Sequence, residues 1–82
     1  MSTGTYIQFI EGTPKPKTNT WEVVTRRGRA VIGEIFWYSP WRKYCFFPQP
    51  NTVYEWTCLR EIAIFCQDET TLHNKIRKAR SA

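Results

Sequence analysis

Seven of the chain's thirteen aromatic side chains fall within one short stretch: Phe36, Trp37, Tyr38, Trp41, Tyr44, Phe46 and Phe47. Two strand-like runs, 30–38 and 43–47, carry six of them. Between the runs lies Ser39-Pro40-Trp41-Arg42, where Pro40 suits the second position of a type I turn. Successive side chains of a strand point to opposite sides of its sheet. Ile35 and Trp37 therefore share one face, while Phe36 and Tyr38 share the other. Tyr44 and Phe46 are opposed to Cys45 and Phe47 in the same way. Both faces of such a sheet carry large rings, and one helix covers only one face. The second face is expected to be covered by the N-terminal strand, by another chain or by a ligand, because an exposed aromatic patch marks an interaction site.

The rest of the chain completes a meander. Trp21-Glu22-Val23-Val24-Thr25 alternates and is β-branched, as a strand requires. Arg26-Arg27-Gly28-Arg29 reads as a hairpin turn in which Gly28 takes a positive φ. Gly33, inside the next strand, predicts a bulge or a close approach of backbone. Upstream, Thr5-Tyr6-Ile7-Gln8-Phe9-Ile10 is a short apolar run. The segment after it, Gly12-Thr13-Pro14-Lys15-Pro16-Lys17-Thr18-Asn19, loses two backbone donors at its prolines and stays extended. The first strand is therefore placed at a sheet edge or across a subunit boundary. Residues 1–19 read as an N-terminal strand or arm plus a Pro-Lys linker, and residues 20–82 as a single domain. Pro48-Gln49-Pro50-Asn51 ends the meander, and 52–55 adds a short extended piece. From Thr57, a good N-cap, the last third is helical. Glu61 is assigned to the first turn, and Leu59, Ile62, Ala63, Cys66, His73 and Ile76 to the apolar stripe. Ile64, Phe65 and Leu72 widen that stripe. The expected class is α+β: an antiparallel sheet of three to four strands packed by one C-terminal helix.

A chain of 82 residues buries only about 60% of its unfolded surface, so association into a homodimer or higher homo-oligomer is expected. Cys45, Cys58 and Cys66 have no paired spacing, and His73 is the only histidine. Neither a disulfide framework nor a zinc site is expected, and no cofactor is anticipated. No apolar run approaches the roughly 20 residues that span a bilayer, and the first residues lack the basic start and apolar core of a leader. A cytoplasmic location with no membrane contact is the expectation.

Twelve Lys and Arg against seven Asp and Glu leave a net charge of +5. Arg26, Arg27 and Arg29 crowd one hairpin tip, and Arg42 and Lys43 lie at the next turn, toward the opposite end of the sheet. Lys75, Arg77, Lys78 and Arg80 follow in the tail, where cations also suit the negative end of the helix dipole. Guanidinium groups grip phosphate through paired hydrogen bonds, and rings stack on bases. The candidate phosphate ligands are Arg26, Arg27, Arg29, Arg42 and Lys43, and the candidate stacking rings are Trp37, Tyr38, Trp41 and Tyr44. Catalysis is not expected. Asp68 and Glu69 are adjacent on the helix and diverge by about 100°, while Cys66 and His73 are roughly 10 Å apart along its axis.

The segments Trp21-Glu22-Val23-Val24, Gly33-Glu34-Ile35, Trp37-Tyr38, Pro40-Trp41-Arg42, Tyr44-Cys45-Phe46-Phe47-Pro48, Thr52-Val53 and Cys58-Leu59-Arg60-Glu61-Ile62-Ala63 resemble a family of small proteins of bacteria, phages and prophages. The resemblance covers about residues 20 to 66 and rests mainly on the Trp-Tyr-x-Pro-Trp-Arg-x-Tyr-x-Phe-Phe-Pro segment. It implies a mobile-element origin and a location in the host cytoplasm. By analogy with small phage proteins that neutralise host factors or trap cyclic nucleotide signals, it implies a role against host defence. The resulting expectation is a non-enzymatic protein that sequesters a phosphate-bearing ligand, either nucleic acid or a signalling nucleotide. The alternative is an inhibitor that docks a host protein through its aromatic sheet face, with positive charge steering it to an acidic partner.

Overall fold

The computed structural model describes residues 6–13 and 18–81, with residues 77–81 as helix backbone alone. Four strands precede one helix: β1 (Ile7–Glu11), β2 (Trp21–Thr25), β3 (Val31–Tyr38), β4 (Lys43–Pro48) and α1 (Trp56–Ser81). The strands form an antiparallel meander in the order β1-β2-β3-β4, and the helix packs on one face as the alternation requires. The run expected at 5–10 becomes β1, an edge strand paired with β2 from Ile7↔Thr25 to Glu11↔Trp21. Pro14, Lys15, Pro16 and Lys17 of the expected linker lie outside the described residues.

Local chemistry sets both hairpin turns. Between β2 and β3, Gly28 and Arg29 take left-handed backbone at φ 73° and 49°. The Thr25 hydroxyl accepts from the Ala30 N–H at 3.0 Å. Between β3 and β4, the amides of Trp41 and Arg42 both donate to the Tyr38 carbonyl, at 3.1 and 2.9 Å, and Arg42 reverses the chain at φ 53°. The β2–β3 register shifts after Val23↔Gly33, so that Val24 faces Val31 and Ile32 is left over as a bulge. Gly33 also meets the expected close approach: a Cβ there would strike the Phe46 ring and come within 2.8 Å of the Phe47 carbonyl oxygen.

The core forms beneath the helix from Ile7, Phe9, Trp21, Val23, Ile35 and Tyr44 of the sheet and Ile62 and Phe65 of α1. Phe65 stacks on Phe9 at 4.1 Å and meets Trp21 edge-on at 5.0 Å. The helical stripe is thus centred on Ile62 and Phe65. Leu59 and Ile76 of the expected stripe are about half exposed, and Ala63 is exposed. The helix also starts earlier than Thr57. Glu55 is the cap, its carboxylate accepting from the Cys58 N–H at 2.7 Å. Burial pushes the Glu55 carboxyl up, but the N–H groups of Thr57 and Cys58 outweigh it and hold its pKa below the ordinary value. With Trp56 as first residue, Glu61 falls in the second turn, and the first turn holds no acid. Residues 52–55 form no strand. Tyr54 instead donates its hydroxyl to the Ile32 carbonyl at 2.7 Å and braces the bulge.

Two further contacts place the helix. The Thr70 hydroxyl accepts from the Tyr44 N–H at 3.0 Å and donates to the Cys66 carbonyl at 2.8 Å. His73 lies with its ring 4.4 Å from that of Trp37. Trp37 and Tyr44 are the last pair but one before the β3–β4 turn. Eight residues, roughly 12 Å of helix, follow His73.

Candidate nucleic-acid interface

The second face of the sheet carries an unbroken line of rings. Phe36 and Phe47 are diagonal neighbours across β3 and β4, and they stack at 3.8 Å with only 2° between their planes. Tyr38 meets Phe47 edge-on at 6.0 Å, and Trp41 meets Tyr38 edge-on at 5.0 Å. Phe36, Tyr38 and Phe47 are half-buried, and Trp41, at the end of the line, is 68% exposed. Arg42 follows Trp41 in the turn, Lys43 pairs with Tyr38 across the strands, and both cations are exposed. On the same face Glu22 and Glu34 stand directly opposite each other on β2 and β3. Like charges so placed repel.

The structure divides the candidate residues. Tyr38, Trp41, Arg42 and Lys43 come together at one corner of this face, which no element among the described residues covers. Trp37 and Tyr44 take the helix side. Tyr44 is 4% exposed, its hydroxyl accepts from the Asn19 N–H at 3.1 Å, and Trp21 and Trp37 each meet its ring edge-on at 5.3 Å. A ring so enclosed offers no face to a base. Arg26, Arg27 and Arg29 sit at the far end of β3, whose eight residues span roughly 25 Å. Phe36 and Phe47 belong to the line although the stacking set omitted them. The alternation along β3 and β4 had already put them on its side.

On the helix side a groove of about 380 Å³ runs between β4 and α1. Lys43 and Tyr44 line it from β4, and Ala63, Cys66, Gln67 and Thr70 line it from α1. Burial, with Cys45 nearby, pushes the Cys66 thiol up to about 11. Burial also raises Cys45 and Cys58. All three cysteines are free thiols, protonated at neutral pH and poorly suited to nucleophilic attack. Among the described residues no group of His, Cys, Asp and Glu is arranged to hold a metal ion. Among the same residues no helix is long and apolar enough to cross a membrane.

No family model matches the sequence. The chain is similar to an "Uncharacterized 9.3 kDa protein" of Acholeplasma phage L2, with 34% identity over 61 residues, 73% of this chain and 78% of that protein. No solved structure matches.

Proposed function

The chain belongs to the family of that 9.3 kDa phage protein, and on this premise we propose a non-enzymatic binding protein whose uncovered sheet face holds single-stranded nucleic acid. The observation that carries the reading is the line Phe36, Phe47, Tyr38 and Trp41, which ends in an exposed indole beside two cations. Four rings in succession suit several bases in a row better than one nucleotide. Base–ring stacking contributes about 1–3 kcal/mol per base and tolerates any sequence. Arg42 and Lys43 neutralise phosphates where the strand leaves the sheet. The hairpin with Arg26, Arg27 and Arg29 adds a distant phosphate contact or completes the site on a second copy. Withholding such a ligand from the host is the role against defence that this reading supports, exercised in the host cytoplasm.

The Glu22–Glu34 pair repels phosphate and favours the competing reading, a host protein docked on the same face, with a basic patch against that pair in place of the acidic partner expected from the net charge. Fluorescence anisotropy with labelled oligo(dT) of about twelve nucleotides separates the two. Binding should weaken with salt, with a log–log slope of about −0.7 for each phosphate neutralised, and Trp41→Ala should weaken it about tenfold or more. A flat salt response, or no binding to oligonucleotide or cyclic dinucleotide, would remove the nucleic-acid reading.

A further inference from the structure

The groove between β4 and α1 adjoins the aromatic face at one residue, Lys43, which belongs to both. Its lining is more apolar than polar and includes Tyr44, Ala63 and Cys66. Its helical wall carries Gln67 and Thr71, and Lys75 continues the same line one turn on, because residues four apart align on one flank. All three are exposed; Gln67 and Thr71 lie alongside β4, on the stretch where Thr70 meets Tyr44, and only Lys75 comes after His73. The helical side thus carries an amide and a hydroxyl within the groove and an ammonium one turn beyond it, and the β4 side carries a second ammonium at Lys43. Apolar pockets of roughly 300–1,000 Å³ with a few placed polar groups are typical small-ligand sites, and about 380 Å³ accommodates one flat heterocycle with its sugar.

We propose that this groove seats one unstacked nucleobase of the bound strand and reads it through Gln67. The inference rests on the reading of the uncovered face as a single-strand surface. It adds base preference, which the ring line by itself cannot supply. A strand leaving Trp41 crosses the turn, passes Lys43 and places its next base over Ala63 and Cys66, with its phosphates between Lys43 and Lys75. A side-chain amide presents a donor beside an acceptor, the match for adenine. Single-stranded bases are commonly read at such edges.

The test compares labelled oligo(dA) and oligo(dT) of about a dozen nucleotides on the full chain. Wild type should prefer oligo(dA) by about tenfold. Gln67→Ala should erase the preference by lowering oligo(dA) affinity about tenfold, to that for oligo(dT). Ala63→Trp, an exposed helix position, should erase it by filling the groove, with circular dichroism confirming an intact fold. No preference in wild type, or a preference that survives both changes, would overturn the proposal. Trp41→Ala distinguishes the two levels. If it weakens both oligonucleotides equally while Gln67→Ala does nothing, the face reading stands and the groove proposal falls. If Trp41→Ala changes neither affinity, the face reading itself falls.

Discussion

Arg29 and Arg42 hold left-handed backbone, at φ 49° and 53°, where a side chain costs about 1–2 kcal/mol relative to ordinary geometry. Both are candidate phosphate ligands. Strained residues cluster at functional sites because selection retains them there against their local cost. Arg42→Gly should therefore move two properties in opposite directions. It should stabilise the fold by about 1 kcal/mol in urea unfolding, and it should weaken oligonucleotide binding and lower its salt slope by about one phosphate. Gly33 has the opposite constraint, since a side chain there would collide with the Phe46 ring and the Phe47 carbonyl. Gly33→Val should cost about 2–4 kcal/mol by overpacking and local shift. The sequence marked Gly33 and Gly28 as special because glycine announces unusual backbone. It gave no such notice of Arg29 or Arg42, since nothing in the letter Arg encodes a positive φ.

At the scale of elements, the four strands were legible from alternation and turn residues, and three of them both start and end within one residue of expectation. The helix was legible as a helix, and its facing in part. Ile62, Cys66 and His73 of the expected stripe do face the sheet, whereas Leu59, Ala63 and Ile76 are exposed and Phe65 takes a central place, because Phe9 and Trp21 on distant strands pack against it. The cap was misplaced for a similar reason, Glu55 reaching the Cys58 amide ahead of the more usual Thr57. Thr70 joins the two layers by accepting the outward amide of Tyr44. Thr70→Val should cost about 1–3 kcal/mol through an unsatisfied donor and speed hydrogen exchange at Tyr44, and Thr70→Ser should restore both. Glu69 reports on the same region. Burial, then Asp68, then Glu11 raise its carboxyl above the ordinary value. A group raised by folding favours the folded state fully below its unfolded pKa, and that contribution is lost as pH climbs through the folded one. Glu69→Gln should therefore be more stable than wild type at pH 7 and equal to it near pH 3, as read from paired urea melts.

At the scale of the whole molecule, the two faces of the sheet have unequal energetic weight. Phe65 is 8% exposed and stacked in the core. Phe65→Ala should cost about 3–5 kcal/mol, close to the whole stability of a small domain. Phe47 lies half-buried on the uncovered face, and Phe47→Ala should cost about 1 kcal/mol while weakening ligand binding. Equal losses at the two positions would mean that a second copy already covers the open face. The surplus of rings was readable from the primary structure, as was the separation of the two arginine-bearing turns. The seating of the helix along β4 was not, because it depends on the contacts that Thr70 and His73 make with Tyr44 and Trp37. Trp41 stands at the corner beside the β3–β4 turn in water, whereas Trp21 is enclosed and Trp56, also exposed, lies under the Arg60 guanidinium at 5.0 Å. The molecule thus contains its own optical gauge. Excited indole in solvent emits at long wavelength, and a base sliding over it should dim that emission, so occupancy of the corner is visible by colour and brightness with no label attached.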